Sequence, residues 1–565
     1  MSSVAWRVHP PNPARAASLA RAAGLHRITA QLLLNRGIRT AGEAKRFLTP
    51  DLGALRDPFL LPDMAAGVAR LRRAIDGGES ILIFGDADVD GVTATAILYE
   101  VLRSLGARVR VRLSNRIEDG YGLSAPAVAQ ARRNAVWLVV LVDCGTNQAE
   151  PVGRLMRSGI EVIVIDHHRP MDGAAKPLAL INPHRAPAGR AGAGHADGRS
   201  AGRELCSAGL AFKVAQALLA EQGTTALGPY LDLAALGTLA DYVPLLGDSR
   251  ILVAEGLSRI TNSLRPGLHR LCEATGTCEP SPEQVIRRLV PRLNAFGRLG
   301  DPTTACNLLV ATDGDPMDEW LAEAEEAHAT TRQLQRRIIG EAEEQIGRLH
   351  FRDQFVLVVS GTGWHQGLMG PLASQLTARY GRPAVAVALD HGRGIGSARS
   401  IPLFDLLDAL KSCRDLLVQF GGHAQACGLT VDSKNLEPFR ALLNQHAQRA
   451  LGREGLVRTK ALDLELPLGA LQARWVDDAE RFAPFGPGNP RPTMLVRNVV
   501  FERPSPRMAY LTDGACRIKA KGRLMDTLPG ARYDVAATPA LNDGEPVLTV
   551  SDVKGASGPS GPGRT

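Results

Sequence analysis

Three short apolar runs in the first half of the chain each end on acids. Ile81 to Phe84 leads into GDADVDG, which carries Asp86, Asp88 and Asp90. Val136 to Val142 leads into Asp143 of VDCGT, and Glu161 to Ile165 leads into Asp166, His167 and His168. A fourth apolar segment closes on Asp241 in LADYVPL. Continuous runs of this length suit strands buried on both faces of a parallel sheet. Helical periodicity lies between them, as over Val92 to Leu105, and the alternation implies βαβ units. In a parallel sheet the carboxyl ends of all strands share one edge, where ligands bind. The sequence therefore aims carboxylates and imidazoles from four segments at a single edge.

So many acids in one place repel one another unless cations neutralise them. Oxygen and imidazole donors without a thiolate pattern suit Mn²⁺ or Mg²⁺ and tolerate Zn²⁺. Shared carboxylates allow two ions ~3.5–4 Å apart, the arrangement that clamps attacking and leaving oxygens in phosphoryl hydrolysis. A single Asp after a strand is ordinarily a helix cap or turn former. That reading must hold at four places together, and DHH closing an apolar strand is a rare combination.

The remaining chain supplies further domains. With 565 residues, about three or four domains are expected. Residues 1–60 read as a helical lead-in, 61–314 as the domain carrying the acids, and 315–350 as a long helix charged on both faces. Residues 351–452 read as a second α/β domain, with strands at 354–360, 383–389 and 394–399. Residues 453–553 read as an all-β domain with strands near 461–466, 493–503, 508–520, 531–538 and 546–553, which fits a small barrel such as an OB-fold. Residues 554–565 read as a disordered tail, and the Gly/Ala/Arg-rich stretch 186–203 as a mobile surface loop. The eight cysteines form no C-x-x-C and are expected as small buried residues of a reduced cytoplasm. The amino terminus, with Pro10, Pro11 and Pro13, is not a secretory signal, and no apolar stretch reaches the ~20 residues of a membrane span. The net charge of +8 is a weak pointer to a polyanionic partner.

GDADVDG, VDCGT, DHH and LADYVPL, in that order, resemble the four motifs of the DHH phosphoesterase superfamily. LSNRIEDGYGLS (113–124), RPGL (265–268), PRLNAFGR (291–298), GWHQGLMG (363–370) and FGGHAQACG (420–428) are similar to blocks of its RecJ branch, the single-strand-specific 5′→3′ DNA exonucleases. PFGPGNPRP (484–492) resembles the signature of that branch's terminal barrel. The resemblance spans about residues 28 to 553. It implies an α/β fold class: a DHH domain with a parallel sheet, a long connecting helix, a DHHA1 α/β domain and a C-terminal OB-fold β-barrel. Ala87 stands where the branch usually carries Tyr, which implies a packing change.

By motif, the resemblance assigns Asp86, Asp88, Asp143, His167 and Asp241 to two divalent ions, Mn²⁺ or Mg²⁺, with Asp143 bridging them. His168 would face the scissile phosphate, and His423 would touch it from the opposite side. Asp90 is read as a residue behind the ligands, with ligand and turn former as the alternatives; Asp166 is read the same way. Ser397 and Arg399, with Arg116, are candidates for a 5′-phosphate pocket. Asn294, Arg298 and Gly422 are expected along the strand or the cleft between domains. Glycine-rich stretches such as GIGSARS and GGHAQACG permit close approach to phosphates, or are simply turns. Trp364 and His365 would pack the interdomain hinge, or Trp364 the core. In the barrel, Arg517, Lys519, Lys521 and Arg523 form an alternating basic stripe, with Phe485, Phe501, Tyr510 and Tyr533 as the local aromatics. The stripe is equally a charged edge strand.

The activity so implied is single-stranded-DNA-specific 5′→3′ exonucleolysis releasing 5′-mononucleotides, in DNA repair and recombination. The alternatives are a DHH phosphodiesterase on short oligoribonucleotides or cyclic dinucleotides, and a non-catalytic replication scaffold. Partners implied by the family are single-stranded DNA, single-strand-binding protein and a helicase. A cytoplasmic monomer without membrane attachment is expected.

Overall fold

The computed structural model describes residues 4–115, 122–185, 202–277, 279–452, 454–456, 458–505, 508–522, 528 and 530–556. It divides into two compact units. One holds residues 56–241 and 256–458; the other holds residues 3–55, 242–255 and 459–565.

The chain opens in the second of these, with β1 (Ala5–Val8) and helices α1 (Pro13–Ala23), α2 (Arg27–Asn35) and α3 (Ala41–Leu48). Each helix starts on a cap. Asn12 accepts from the Arg15 N–H, His26 from the Ile28 N–H, and Thr40 with Glu43 forms a reciprocal capping box.

The larger unit is built on two sheets. After α4 (Met64–Asp76) come β2 (Ser80–Gly85), α5 (Val89–Ser104), β3 (Arg108–Leu113), α6 (Ala125–Arg133), β4 (Leu138–Val142), α7 (Ala149–Arg157), β5 (Glu161–Ile165) and β6 (Ala179–Ile181). The five strands are all parallel, in the order β3-β2-β4-β5-β6. Val139 and Leu141 of β4, with Leu82 and Phe84 of β2, pack beneath α6 and α7. Helix α5 begins at Val89, three residues before the apolar periodicity does, because Asp88 caps it. Helices α8 (Ser207–Leu218) and α9 (Leu231–Ala240) pack with α5. The apolar segment ahead of Asp241 is thus α9, a helix and not a strand. Leu231 through Leu239 are buried all round, so no face pattern marks the helix in sequence.

A long helix, Met317–Gly347, leads to β7 (Leu357–Thr362), β8 (Ala384–Asp390), β9 (Arg393–Arg399), β10 (Leu417–His423) and β11 (Ala426–Asp432). Their order is β10-β11-β9-β8-β7, with only β7 and β8 parallel. FGGHAQACG is therefore a hairpin and not a glycine-rich loop. Trp364 is buried against the long helix, where its Nε1–H donates to Glu341 at 2.6 Å, so it serves the core of this domain.

The second unit is completed by β12 (Thr459–Leu462), β13 (Leu464–Glu465), β14 (Met494–Ser505), β15 (Met508–Thr512), β16 (Arg517–Gly522), β17 (Arg532–Asn542) and β18 (Glu545–Gly555). The single strand expected over 508–520 is two strands joined at Asp513-Gly514. The order β14-β15-β16-β18-β17 closes on itself because β14 also pairs with β17. β1 pairs in parallel with β12, and Leu32, Leu33 and Phe47 share one core with Trp475, Val496 and Val535. The N-terminal helices thus belong to the same core as the C-terminal strands. Residues 557–565 of the expected tail and 186–201 of the expected loop lie outside the described residues. No helix among the described residues is long and apolar enough to cross a membrane.

Candidate metal centre and substrate cleft

The sheet ladder runs one residue past the strands into each acidic turn. The Asp86 N–H donates to the Val142 carbonyl at 3.2 Å, Asp143 to Ile165 at 3.0 Å and Asp166 to Ile181 at 3.2 Å. Three acids are thereby fixed side by side at the carboxyl edge. Asp143 has φ 61°, in the left-handed region that a side chain other than glycine rarely adopts. Such strain concentrates where function requires a fixed direction. Gly91 shows how tightly the first motif is wound, since a Cβ there would lie 2.5 Å from the Asp86 carbonyl oxygen.

Three sets of donors lie with their ligand atoms within 4.8 Å of one another: Asp86, Asp88 and Asp143; Asp143, His167 and His168; and Asp90, His167 and Asp241. Asp143 and His167 each belong to two sets. The His167 Nε2 lies 3.4 Å from Asp143, 3.6 Å from Asp241 and 3.9 Å from Asp90. Asp90 sits in the first turn of α5, and its carboxylate accepts from the Ser207 and Ala208 N–H groups, both at 2.8 Å. Both oxygens are thus held by the amino end of α8, and Oδ2 also stands 3.9 Å from the His167 Nε2.

Electrostatics fit these donors to hard divalent cations. Burial first, then Asp143 and Asp241, push the Asp90 carboxyl well above its ordinary range. Burial also raises Asp241, to about 6, against the pull of His167. Burial opposes protonation of His167, yet Asp241 and Asp143 hold its pKa well above the usual value. The cluster thus carries surplus negative charge, which draws in protons. Cations supply the same neutralisation, and the all-oxygen and imidazole donor set matches Mn²⁺ or Mg²⁺.

His168 is exposed at its ring edge, with Nδ1 2.7 Å from Asp166 Oδ1. The surrounding protein opposes its charge, but Asp166 outweighs this and holds its pKa up to about 9. Burial opposes ionisation of Asp166 too, but the two imidazoles and the Thr146 side chain bring its carboxyl below the usual range, and the Thr146 N–H donates to it at 3.1 Å. Asn182 ties this layer together, donating to Thr146 Oγ1 at 3.0 Å and to the His168 carbonyl at 2.8 Å.

A cleft of about 410 Å³ opens beside the cluster. Asp88, Asp90, Asp241, Asn294 and Arg298 line one wall; Gly370, Ser374, Ser397 and Arg399 line the other. Arg399 Nη1 donates to Ser397 Oγ at 3.0 Å, and the amino end of the helix Met369–Tyr380 reaches the same wall at Gly370. Asn294 also holds the first motif, accepting from the Val89 N–H at 3.1 Å. Gly422 and His423 lie at the tip of the β10–β11 hairpin. Gly422 has φ 139°, and a Cβ there would lie 2.3 Å from the Ala426 carbonyl oxygen. The pKa of His423 is lowered by burial, then by Arg399 and His168. His365 accepts from the Gly367 N–H at 3.2 Å and caps a short turn. Arg116 lies outside the described residues.

Several contributors have no signal in sequence. Ser114 donates to Asp86 and Ser207 to Asp143, each at 2.8 Å. Ser114 falls inside the LSNRIEDGYGLS block and Thr146 closes VDCGT, but Ser207 and Asn182 belong to none of the quoted motif blocks. In the second unit, Arg517 pairs with Glu502 at 2.8 Å and lies over Tyr510, while Lys519 and Lys521 are exposed. Phe501 is buried against Tyr533 and is no stacking platform, which corrects the expectation. Arg523 lies outside the described residues.

The DHH family N-terminal domain matches residues 80–238, the DHHA1 domain residues 353–449 and the RecJ OB domain residues 462–509. Fold and site together define a metal-dependent DHH-family nuclease extended by DHHA1 and OB domains. The chain is 31% identical over 558 residues to the single-stranded-DNA-specific exonuclease RecJ of Bacillus subtilis, covering 96% of this chain and 69% of that one. It is similar to the crystal structure of RecJ in complex with Mn²⁺ from Thermus thermophilus, with a TM-score of 0.82 and 28% identity over 98% of this chain and 80% of that one. The corresponding Mg²⁺ complex gives a TM-score of 0.75, again at 28% identity, over 98% and 79%. The chain belongs to the RecJ family.

Proposed function

We propose that this protein is a single-stranded-DNA-specific exonuclease that hydrolyses phosphodiesters from the 5′ end and releases 5′-mononucleotides. One observation supports the reading most: Asp88, Asp90 and Asp241, which belong to the candidate metal-ligand sets, line the same cleft as Ser397 and Arg399. Asp86, Asp88, Asp143, His167 and Asp241 would hold two divalent cations, with Asp143 common to both. When bound, those cations supply Lewis acidity to the phosphodiester and activate the attacking water. Asp90 anchors the cluster on α8 and stands beside His167. His168, with Nδ1 taken by Asp166, directs Nε2 outward to hold charge or a proton at the scissile phosphate. His423 approaches from the facing hairpin.

Arg399, Ser397 and the amino end of the helix Met369–Tyr380 suit a terminal phosphate, since a guanidinium fork and helix-end N–H groups both favour phosphate oxygens. Arg298, from the wall that carries the acids, adds a second cation to the cleft. A phosphate seat set opposite the cluster makes cleavage end-directed, and a narrow cleft excludes duplex. The closed five-stranded sheet with Lys519 and Lys521 would track the incoming strand. A role in repair and recombination, with single-strand-binding protein and a helicase as partners, follows from the family resemblance.

End-labelled single strands with Mn²⁺ or Mg²⁺ test the proposal. A 5′ label should leave at once as a mononucleotide, while a 3′ label should pass through a descending ladder. Release of internal fragments first, or faster turnover of a dinucleotide than of a long strand, would overturn it.

A further inference from the structure

The face of the first sheet covered by α6 and α7 is not covered to its end. Helix α6 stops at Arg133, and beyond it the amino-terminal edge of the sheet lies open. A depression of about 410 Å³ there is lined by Ser80, Arg108, Arg110, Asn134 and Trp137. The register explains the grouping: Arg108 pairs with Ser80 and Arg110 with Leu82, while the Trp137 N–H donates to the Ser80 carbonyl at 3.1 Å. All these side chains fall on the face that Leu82 and Val139 present to α6.

Apolar sheet faces are normally buried, yet Trp137 is 61% exposed. Its neighbours are cations. Arg108 and Arg110 make no ion pair or side-chain hydrogen bond among the described residues, nor do Arg132 and Arg133 in the last turn of α6. The nearest acids at this edge, Glu79 and Glu161, are both taken up by Arg70. The surface is therefore an exposed indole beside two uncommitted guanidinium groups, those of Arg108 and Arg110. Aromatic faces that stack bases, interleaved with cations that meet phosphates, are what a single strand requires. Arg108 and Arg110 stand two residues apart on one strand, about 6.6 Å, so they present a row of cations and not a point.

From Trp137, Arg108 and Arg110 at the amino-terminal edge of the sheet, we infer a second single-stranded-DNA contact, separate from the cleavage cleft. It lies a full strand length, about 17 Å, from the metal cluster at the opposite edge. A strand of four nucleotides seated in the cleft spans about 10 Å at ~3.4 Å per nucleotide and would not reach it, and a long one would. The inference rests on the reading of the chain as a single-strand nuclease, and the test separates the two.

The full chain, in chelator to prevent cleavage, is titrated with fluorescein-labelled oligo(dT) of 4 and 60 nucleotides. Trp137→Ala should weaken binding of the 60-mer about tenfold, with the 4-mer unchanged. Trp137→Phe should restore most of the loss. Arg108→Ala/Arg110→Ala should lower the slope of log affinity against log salt for the 60-mer by about 1.4. Irradiation of wild type with an iododeoxyuridine-substituted 60-mer should cross-link the peptide that contains Trp137. Unchanged 60-mer affinity and salt slope in both variants would overturn the inference, as would the absence of that cross-link. So would loss of 60-mer affinity only in parallel with the 4-mer, or binding of an acidic peptide but not of DNA at this surface. Mn²⁺-dependent cleavage of the 60-mer by wild type is scored separately, and its absence would count against the proposed function alone.

Discussion

Asp143 accepts from Ser207, belongs to two donor sets and is held in a strained backbone conformation. Replacing it by alanine should lower cleavage more than about 100-fold, because even residues that only orient metal ligands are worth 10–100-fold. Binding of single strands in chelator should survive; a wild-type cleavage rate would reject the bridging role. Ser207→Ala should cost about 10–100-fold, and raised Mn²⁺ should recover part of it, since the serine orients a ligand and is not one. Arg399→Ala should abolish the advantage of a 5′-phosphate over a 5′-hydroxyl end. Equal losses on both ends would place Arg399 elsewhere in binding. These residues differ in how far sequence discloses them. The acids announce themselves because each closes an apolar run. Ser207 and Asn182 do not, because their contribution depends on which loop the fold brings behind the acids.

At the scale of the element, caps and tight approaches decide where structure starts. His26 caps α2 through an imidazole nitrogen that accepts from the Ile28 N–H at 3.2 Å. Burial first, then the Arg474 charge, lower its pKa below the ordinary 6.5, against Asp478. A lowered folded-state value means that the contribution of neutral His26 is complete above the unfolded value and fades as pH falls through the folded one. Melting of the second unit should therefore shift downward below about pH 6.5, beyond the shift seen with His26→Asn, which caps at any pH. Identical pH profiles for the two proteins would remove the cap from the explanation. Strand runs at 81–84 and 161–165 are legible because both faces are buried and the runs are uninterrupted. Helix α9 and the β10–β11 hairpin are not. The helix is apolar all round, and the hairpin is so glycine-rich that alternation has almost no side chains to show it.

At the scale of the molecule, the second unit is assembled from three separate stretches of chain. Arg250, from the middle stretch, is buried and donates to the carbonyls of Phe47, Arg481, Phe482, Ala483 and Pro484. Burial, then Arg36, pull its guanidinium down to about 10. Arg250→Met would leave several carbonyls without a donor, at a cost of about 2–4 kcal/mol. Denaturant unfolding followed by Trp475, in the core of that unit, should register the loss; an unchanged midpoint would show that water replaces the arginine. A fragment of residues 459–556 alone should not unfold cooperatively, because Leu32, Leu33 and Phe47 complete its core. Sequence disclosed the strands of this unit but not the company they keep, since nothing local in α1–α3 says which apolar surface they will meet.

That division has a consequence for biosynthesis. Residues 4–55 leave the ribosome about 400 residues ahead of the strands that cover them. At roughly 5–20 residues per second, their apolar faces wait about 20–80 seconds for a partner. The larger domains can fold in that interval, while the amino-terminal helices remain candidates for capture by chaperones until translation is nearly finished. A stop codon anywhere before the last strands would leave intact catalytic residues on a chain whose first helices never find their core.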